Sequence, residues 1–119
     1  MQYSLLIYQT DAQFAARTDP ARRDANGVAF MKFVGALQEG GVLITTLGIE
    51  PPETVATVRP RDGAPRVQRG PSAQTKEQLG GLCVIEASDL DAAIEWATRA
   101  PFEHCASVEV RPTRVVPAA

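Results

Sequence analysis

Three nearly continuous apolar runs constrain this fold more than any other feature of the sequence. They read SLLIY near the start, VLITTL after a pair of glycines, and LCVIE in the second half of the chain. Runs of this length and composition are typical of strands that are buried on both faces. Each is far shorter than the ~20 residues that a membrane-spanning helix needs. The pattern therefore predicts core strands of a globular domain.

Two helical patterns lie between these predicted strands. The first follows a polar stretch, begins at Asp19-Pro20 with an N-cap and a proline at the first helical position, and ends at Gly40-Gly41. The second begins with Ser88 as its N-cap and ends before Pro101. Apolar residues three and four positions apart predict the buried faces, which comprise Phe30, Phe33, Val34 and Leu37 in the first helix and Leu90, Ile94 and Ala97 in the second.

The order of elements predicts the fold class. Asp62-Gly63 lies between two β-rich segments, so residues 54–69 are expected to form a hairpin. The remaining order is strand, helix, strand, strand, helix, strand, with Gly80-Gly81 predicted to turn or bulge the chain into the third strand. This is an α+β fold: a ferredoxin-like split βαβ antiparallel sheet with an inserted hairpin and two helices on one face.

The apolar character of both strand faces predicts a second copy of the chain. Two helices cover only one face of a four-stranded sheet, and the other face needs a partner to leave water. We therefore expect a homodimer in which the sheets stack face to face. We also expect one domain over residues 1–119, with the hairpin insertion at about 54–69 and a flexible C-terminal tail at about 113–119.

Charge and cysteine content exclude several classes of function. Twelve basic and fourteen acidic residues leave a net charge of −2, whereas general nucleic-acid binding needs a strongly basic face. Cys83 and Cys105 form no CxxC pair and, with one histidine, match no familiar metal-ligand spacing. Because no signal segment precedes Gln2, we expect a cytoplasmic protein with buried thiols, no cofactor and no membrane contact.

Four segments resemble the YCII-related family in its DGPF-domain branch. They are MQYSLLIY at the start, TKEQLGG after a Gly-Pro turn, DLDAAIEWA, and VEVRP, and they follow the family order from Gln2 to about Pro112. The resemblance implies a dimeric α/β barrel built on a ferredoxin-like fold. It also implies that some relatives accompany extracytoplasmic-function sigma factors, and that a few members of the broader superfamily are enzymes, such as a dehydrochlorinase acting on hydroxyquinones.

The chain departs from the family at two places that bear on chemistry. The branch motif Asp-Gly-Pro-Phe stands here as Arg69-Gly70-Pro71-Ser72, and the histidine that relatives carry near the first helix has no counterpart.

Thr75 and Gln78 of TKEQL are expected to bracket a capped helical turn.

Four residues are candidates for a ligand site. Arg69 is a cation suited to a carboxylate or phosphate, and Ser72 supplies a hydroxyl. Tyr8, at a strand end, is placed to line a cavity, and His104 is the single histidine and the candidate general base. Each residue also has a structural interpretation, as a turn, packing or surface residue.

Two hypotheses of function follow. The first is a binding site for a small molecule, anionic molecules included. If the protein is an enzyme, this hypothesis expects isomerase- or lyase-like activity without a cofactor. The second is a non-catalytic regulatory protein that contacts a sigma factor through the hairpin. That hairpin carries one acidic residue, Asp62, and four basic residues: Arg59, Arg61, Arg66 and Arg69.

Overall fold

The chain folds into one four-stranded sheet, three α-helices and a separate hairpin. A computed structural model describes residues 1–118. The elements in chain order are β1 (Gln2–Gln9), α1 (Asp11–Ala16), α2 (Arg23–Glu39), β2 (Leu43–Gly48), a short 3-10 helix (Pro52–Thr54), β3 (Ala56–Arg61), β4 (Ala64–Arg69), β5 (Gln78–Glu86), α3 (Leu90–Ala97) and β6 (Ser107–Thr113).

The sheet has the strand order of a ferredoxin-like fold. Its order is β2-β5-β1-β6, and every neighbouring pair is antiparallel. Because β1 and β5 lie in the centre while β2 and β6 form the edges, the two βαβ halves interleave as a split pair. The predicted fold class is confirmed, with one helix more than expected.

The core lies between the helices and one face of the sheet. Burial alternates along the whole of β1, and its inward residues Tyr3, Leu5 and Ile7 are at most 5% exposed. Phe33 and Leu37 of α2 pack against this face, so the predicted apolar stripe of that helix is confirmed. The thiols Cys83 and Cys105 are both buried and free, as expected.

The opposite face of the sheet is apolar at its centre, and no helix of residues 1–118 covers it. Leu6 and Tyr8 of β1 lie there beside Leu82 and Val84 of β5, and all four are half-buried. The outer strand β6 adds polar residues to the same face, since Glu109 stands opposite Leu6. We call this surface the open face, and it combines an apolar centre with a polar edge.

The first part of the chain holds a helix that the sequence analysis does not predict. Thr10 caps α1 through a capping box, in which Gln13 N–H donates to Thr10 Oγ1 at 3.3 Å and Thr10 N–H donates to Gln13 Oε1 at 2.9 Å. The predicted start of α2 at Asp19 is wrong. The Asp19 carbonyl accepts hydrogen bonds from the N–H groups of Arg22 and Arg23, so residues 19–22 form a turn before the helix begins.

The predicted cap of the last helix is wrong by one residue. Asp89, rather than Ser88, is the N-cap of α3, and its Oδ1 accepts a hydrogen bond from Ala92 N–H at 2.8 Å. The apolar face is also rotated relative to the prediction. Ala97 is buried, whereas Leu90 and Ile94 remain over 40% exposed, because small alanines let this helix pack closely against the sheet.

The hairpin forms as predicted but does not join the main sheet. Strands β3 and β4 pair only with each other, and the turn residues Asp62 and Gly63 both have positive φ, which suits a type I′ turn. The predicted helical turn within TKEQL is wrong: Gln78 Nε2 does reach back to Thr75 Oγ1 at 2.9 Å, but this segment is a bend that leads into β5.

Two remaining features concern the ends of the chain and the membrane. The predicted tail at about 113–119 ends at Ala119, which lies outside the described residues. Among the described residues, no helix combines the length and the apolar character required to cross a membrane.

Candidate functional site

A cavity of about 240 Å³ lies between α2 and the inner face of the sheet. Ile7, Phe30, Phe33 and Val34 are among the residues that form its apolar wall. Polar side chains that line the same cavity include Gln9, Arg17 and Asn26. A mainly apolar cleft with a few polar groups is the usual form of a small-molecule site.

Gln9 is a polar residue at an inward position of β1. It continues the alternation of buried residues along this strand, and it is 1% exposed. Its Nε2 donates a hydrogen bond to the His104 carbonyl at 2.8 Å, and its Oε1 accepts one from Arg17 Nη2. Since the carbonyl requires a donor, the orientation of the amide is determined and its oxygen faces the guanidinium.

Arg17 lies directly after α1 and is half-buried. Besides Gln9, it binds two backbone carbonyls: Nη1 donates to Ile49 at 2.7 Å and Nη2 donates to Gly80 at 2.6 Å. Its guanidinium also stacks on the ring of Phe14, 4.7 Å from the ring centroid. These contacts hold the side chain in one position at the polar end of the cavity.

Among the described residues, no carboxylate contacts the guanidinium. Within the described part of the chain, Arg17 forms no ion pair at 4 Å or less. Burial lowers the pKa of Arg17, and the charge of Glu50 at longer range opposes this shift. The side chain nevertheless stays charged at neutral pH, because arginine starts from a very high pKa.

Gly80 makes this arrangement possible. The register between β1 and β5 shifts at this point, so Gly80 is the extra residue of a β-bulge and the predicted bulge is confirmed. Its carbonyl accepts hydrogen bonds from both Arg17 Nη2 and Ile49 N–H. A Cβ at this position would overlap Gln9 and lie 2.9 Å from Arg17 Nη2, so glycine is required here for close approach.

Asn26, in the first turns of α2, also lines the cavity. It is 7% exposed, and among the residues that the structure describes its Nδ2 has no hydrogen-bond partner. An unsatisfied buried donor costs about 1–3 kcal/mol, and such a group in a native protein needs an explanation. A bound ligand with an acceptor atom would satisfy it.

The cavity wall also carries one thiol, Cys83. Thr46 Oγ1 lies 3.4 Å from Cys83 Sγ. Burial raises the pKa of the Cys83 thiol, and the contact with Thr46 opposes this only in part. The thiol is therefore protonated and a poor nucleophile at neutral pH.

The four residues predicted from the sequence lie elsewhere. Tyr8 lies on the open face, on the other side of the sheet from the cavity. Arg69 is exposed at the end of β4, and Ser72 is exposed in the following loop, where its carbonyl accepts a hydrogen bond from Arg59 Nη2. None of these three lines the cavity beneath α2, and their roles in binding stay predictions.

His104 touches the cavity only indirectly. Its carbonyl orients Gln9, and its ring lies 6.5 Å from the ring of Phe30, measured between centroids. The imidazole itself faces a second, more superficial hollow that Arg22 and Glu103 also line. Its role as a general base stays a prediction, as does the contact of the arginine-rich hairpin with a sigma factor.

Sequence reasoning misses Gln9, Arg17 and Asn26, although the pattern holds a signal for two of them. Gln9 occupies the next inward position after the alternating core residues of β1. Asn26 precedes Phe30 by four residues, so it extends the apolar stripe of α2 toward its start. A polar residue at a core position is an informative exception. Arg17 carries no such signal, because its position depends on the unpredicted helix α1.

Comparison with known proteins gives a family and a fold. Residues 1–116 match the YCII-related domain family. An uncharacterised protein from Rhizobium meliloti (strain 1021) is 33% identical over 101 residues, which cover 82% of this chain and 77% of that protein.

A solved structure shares the fold at low identity. It is 5-chloro-2-hydroxyhydroquinone dehydrochlorinase from Burkholderia phenoliruptrix AC1100, in complex with 2,5-dihydroxybenzoquinone. The TM-score is 0.54 at 14% identity, and the alignment covers 96% of this chain and 94% of that chain. At this identity, the likeness shows a shared fold alone.

Proposed function

The chain belongs to the YCII-related family, and from that premise and the cavity beneath α2 we propose that the protein binds a small organic molecule between this helix and the sheet. The observation that carries the proposal is Asn26, a residue of the cavity wall whose buried Nδ2 has no partner in the described residues. A ligand that accepts a hydrogen bond there would remove the cost of leaving this donor unpaired.

The cavity size indicates a molecule with a single ring. An apolar cavity of about 150 Å³ is enough to admit benzene, and this cavity measures about 240 Å³. Ligand sites for larger, drug-sized molecules span about 300–1,000 Å³. One ring with one or two substituents therefore fits both the volume and the aromatic residues Phe30 and Phe33.

Binding is the function that this geometry supports best. Isomerase- or lyase-like chemistry needs a group that exchanges a proton near neutral pH. Among the described residues that line the cavity, the titratable ones are Arg17 and Cys83, and burial keeps the Cys83 thiol protonated. A cofactor-free reaction would therefore depend on a proton donor or acceptor within the ligand or on a nearby residue such as His104.

The open face supports a homodimer as the assembled form. Its central residues Leu6, Tyr8, Leu82 and Val84 are apolar and only half-buried within one chain, and apolar surface of this kind is characteristic of protein contacts. A second copy of the chain stacked on this face would bury it, as expected for a dimeric α/β barrel.

An NMR titration with single-ring compounds tests the binding site. The probes are phenol and benzamide, which are uncharged at neutral pH, and 2,5-dihydroxybenzoquinone, a vinylogous acid that is anionic there and is the compound bound in the structural neighbour. We expect saturable shifts of backbone amide signals that cluster at Phe30, Phe33 and Thr46, since these residues line the cavity.

A cavity-filling variant provides the control. Val34→Phe should abolish the shifts, while Val58→Phe on the exposed hairpin should leave them unchanged. Shifts that persist in a folded Val34→Phe protein would place the ligand elsewhere, and an absence of saturable shifts with every probe would contradict the proposal.

A further inference from the structure

The polar end of the cavity carries a positive charge without a matching negative one. Arg17 donates to Gln9 Oε1 and to the carbonyls of Ile49 and Gly80. These acceptors are neutral, so they orient the guanidinium without cancelling its charge. A charge at the edge of an apolar cavity acts more strongly on a ligand than the same charge in water, because the local dielectric is lower.

The residue at position 9 helps to preserve this charge. The His104 carbonyl accepts a hydrogen bond from Gln9 Nε2, and a carboxylate at this position could not donate one. A glutamate would also form a buried ion pair with Arg17 and neutralise it. The backbone of His104 therefore favours an amide, and the amide leaves the guanidinium free to attract an anion.

Asn26 adds a second feature that attracts negative charge. Its unpartnered Nδ2 is a hydrogen-bond donor, and Asn26 lies near the N-terminus of the 17-residue helix α2. The positive end of a helix dipole stabilises anions within about the first turn. Asn26 lines the same cavity as Arg17.

Acidic residues near Arg17 lie on the solvent side. Asp11, Glu50 and Glu53 line a separate surface depression, whose inner wall includes Arg17. All three are exposed, so water and salt screen their charges. Their effect within the cavity is therefore smaller than that of the half-buried guanidinium.

From these contacts we infer that the cavity selects a single-ring organic anion, whose carboxylate or phenolate oxygen is held by Arg17 and Asn26 while its ring packs against Phe30 and Phe33. This inference rests on the proposed function and adds the ligand class. The sequence predicts Arg69 as the cation that binds an anion. The inference assigns that role to Arg17, whose side chain is held in one position inside the fold.

The test compares benzoate with benzamide, two compounds of nearly equal shape that differ in charge. Dissociation constants are measured by NMR titration of the wild-type protein at low salt. Benzoate should bind about tenfold or more tightly, because hydrogen bonds to an ionised acceptor are roughly twice as strong as neutral ones. The signals of the Asn26 side-chain amide and the Arg17 Nε–H should shift on binding.

Asn26→Asp supplies a variant of the same shape that repels an anion. It should weaken benzoate about tenfold or more and change benzamide much less, since the benzamide NH₂ can donate to the new carboxylate. Ala25→Asp is the matched control, because it adds the same charge at the adjacent exposed position. Gln9→Glu, which neutralises Arg17, should reduce the preference for benzoate in the same direction.

The outcomes separate the two proposals. Equal affinities of wild-type protein for benzoate and benzamide would overturn the inference of an anion and leave the small-molecule site intact. Binding of neither compound, nor of any neutral ring probe, would overturn the site itself. Because the comparison of the two compounds is made on wild-type protein, it decides the matter even where a variant fails to fold.

Discussion

At the scale of single residues, the site depends on polar groups placed where the pattern calls for apolar ones. Gln9 and Asn26 occupy core positions of a strand and a helix, and each is at least nine-tenths buried. Both polar side-chain atoms of Gln9 have a partner, through His104 and Arg17, whereas Asn26 Nδ2 has none among the described residues. Natural proteins depart from core patterning chiefly at functional sites, and this contrast is the reason that our proposal assigns Asn26 to the ligand.

Replacing Gly80 by alanine should displace the side chains of Gln9 and Arg17 that line the cavity. The new Cβ would overlap Gln9 and crowd Arg17, so we expect unfolding by urea to show a loss of about 1–3 kcal/mol and benzoate binding to weaken about tenfold or more.

Gly35→Ala is the control for this substitution. Gly35 lies in α2 with open space around its Cα, and a helical Gly→Ala change should raise the stability by about 0.5–1 kcal/mol. If the Gly80→Ala variant keeps the stability and the benzoate affinity of the wild-type protein, the bulge tolerates a side chain and its glycine has no role in the site.

At the scale of elements, local caps decide where helices begin, and neighbouring candidates compete. Ser88 and Asp89 are both good N-cap residues. The structure selects Asp89, which accepts from Ala92 N–H. This choice starts α3 one residue later than predicted. Which face is buried is decided separately by packing: Ala93 and Ala97 lie in the core, while Leu90 and Ile94 remain exposed.

The two candidate caps of α3 should differ measurably in energy. Asp89→Ala removes the cap hydrogen bond and should lower the free energy of unfolding by about 1 kcal/mol. Ser88→Ala removes a side chain for which the structure shows no capping bond and should change it by less than about 0.5 kcal/mol. Urea denaturation of both variants checks this, and a larger loss from Ser88→Ala would contradict the assigned helix start.

At the scale of the whole molecule, the two sides of the sheet have different surroundings. The inner side buries its residues against α2 and α3, whereas the open face has only half-buried residues at its centre. The hairpin of β3 and β4 stands apart from both, paired only with itself. The proposed dimer would place the open faces together and leave the ligand cavities on the outer, helix-covered sides.

A charge at the centre of the open face should separate such a dimer. Leu6→Lys puts an ammonium where the proposed partner would exclude water, and desolvation of an unpaired charge is costly. Light scattering coupled to size-exclusion chromatography should show a dimer for wild type and a monomer for this variant. Val67→Lys, on the exposed hairpin, should remain a dimer. A monomeric wild-type protein would contradict the stacked-sheet assembly.

The sequence by itself determined the ferredoxin-like order of elements, because hydrophobic period and turn chemistry are local properties of the chain. SLLIY, LCVIE and the stripe from Phe30 to Leu37 locate the sheet and α2, and Asp62-Gly63 locates the hairpin turn. The bulge at Gly80 was also predictable, since a glycine in a strand pattern indicates it.

The tertiary structure alone decided the site. Gln9, Arg17, Asn26 and Gly80 come from different elements, and only the folded chain brings them to one cavity. Arg17 looks like a surface residue in the sequence, yet its neighbours are carbonyls of residues more than 30 and 60 positions away. Contacts between distant segments depend on packing and not on local pattern. For that reason the sequence predicts Arg69 as the anion-binding arginine, whereas our proposal from the folded chain is Arg17.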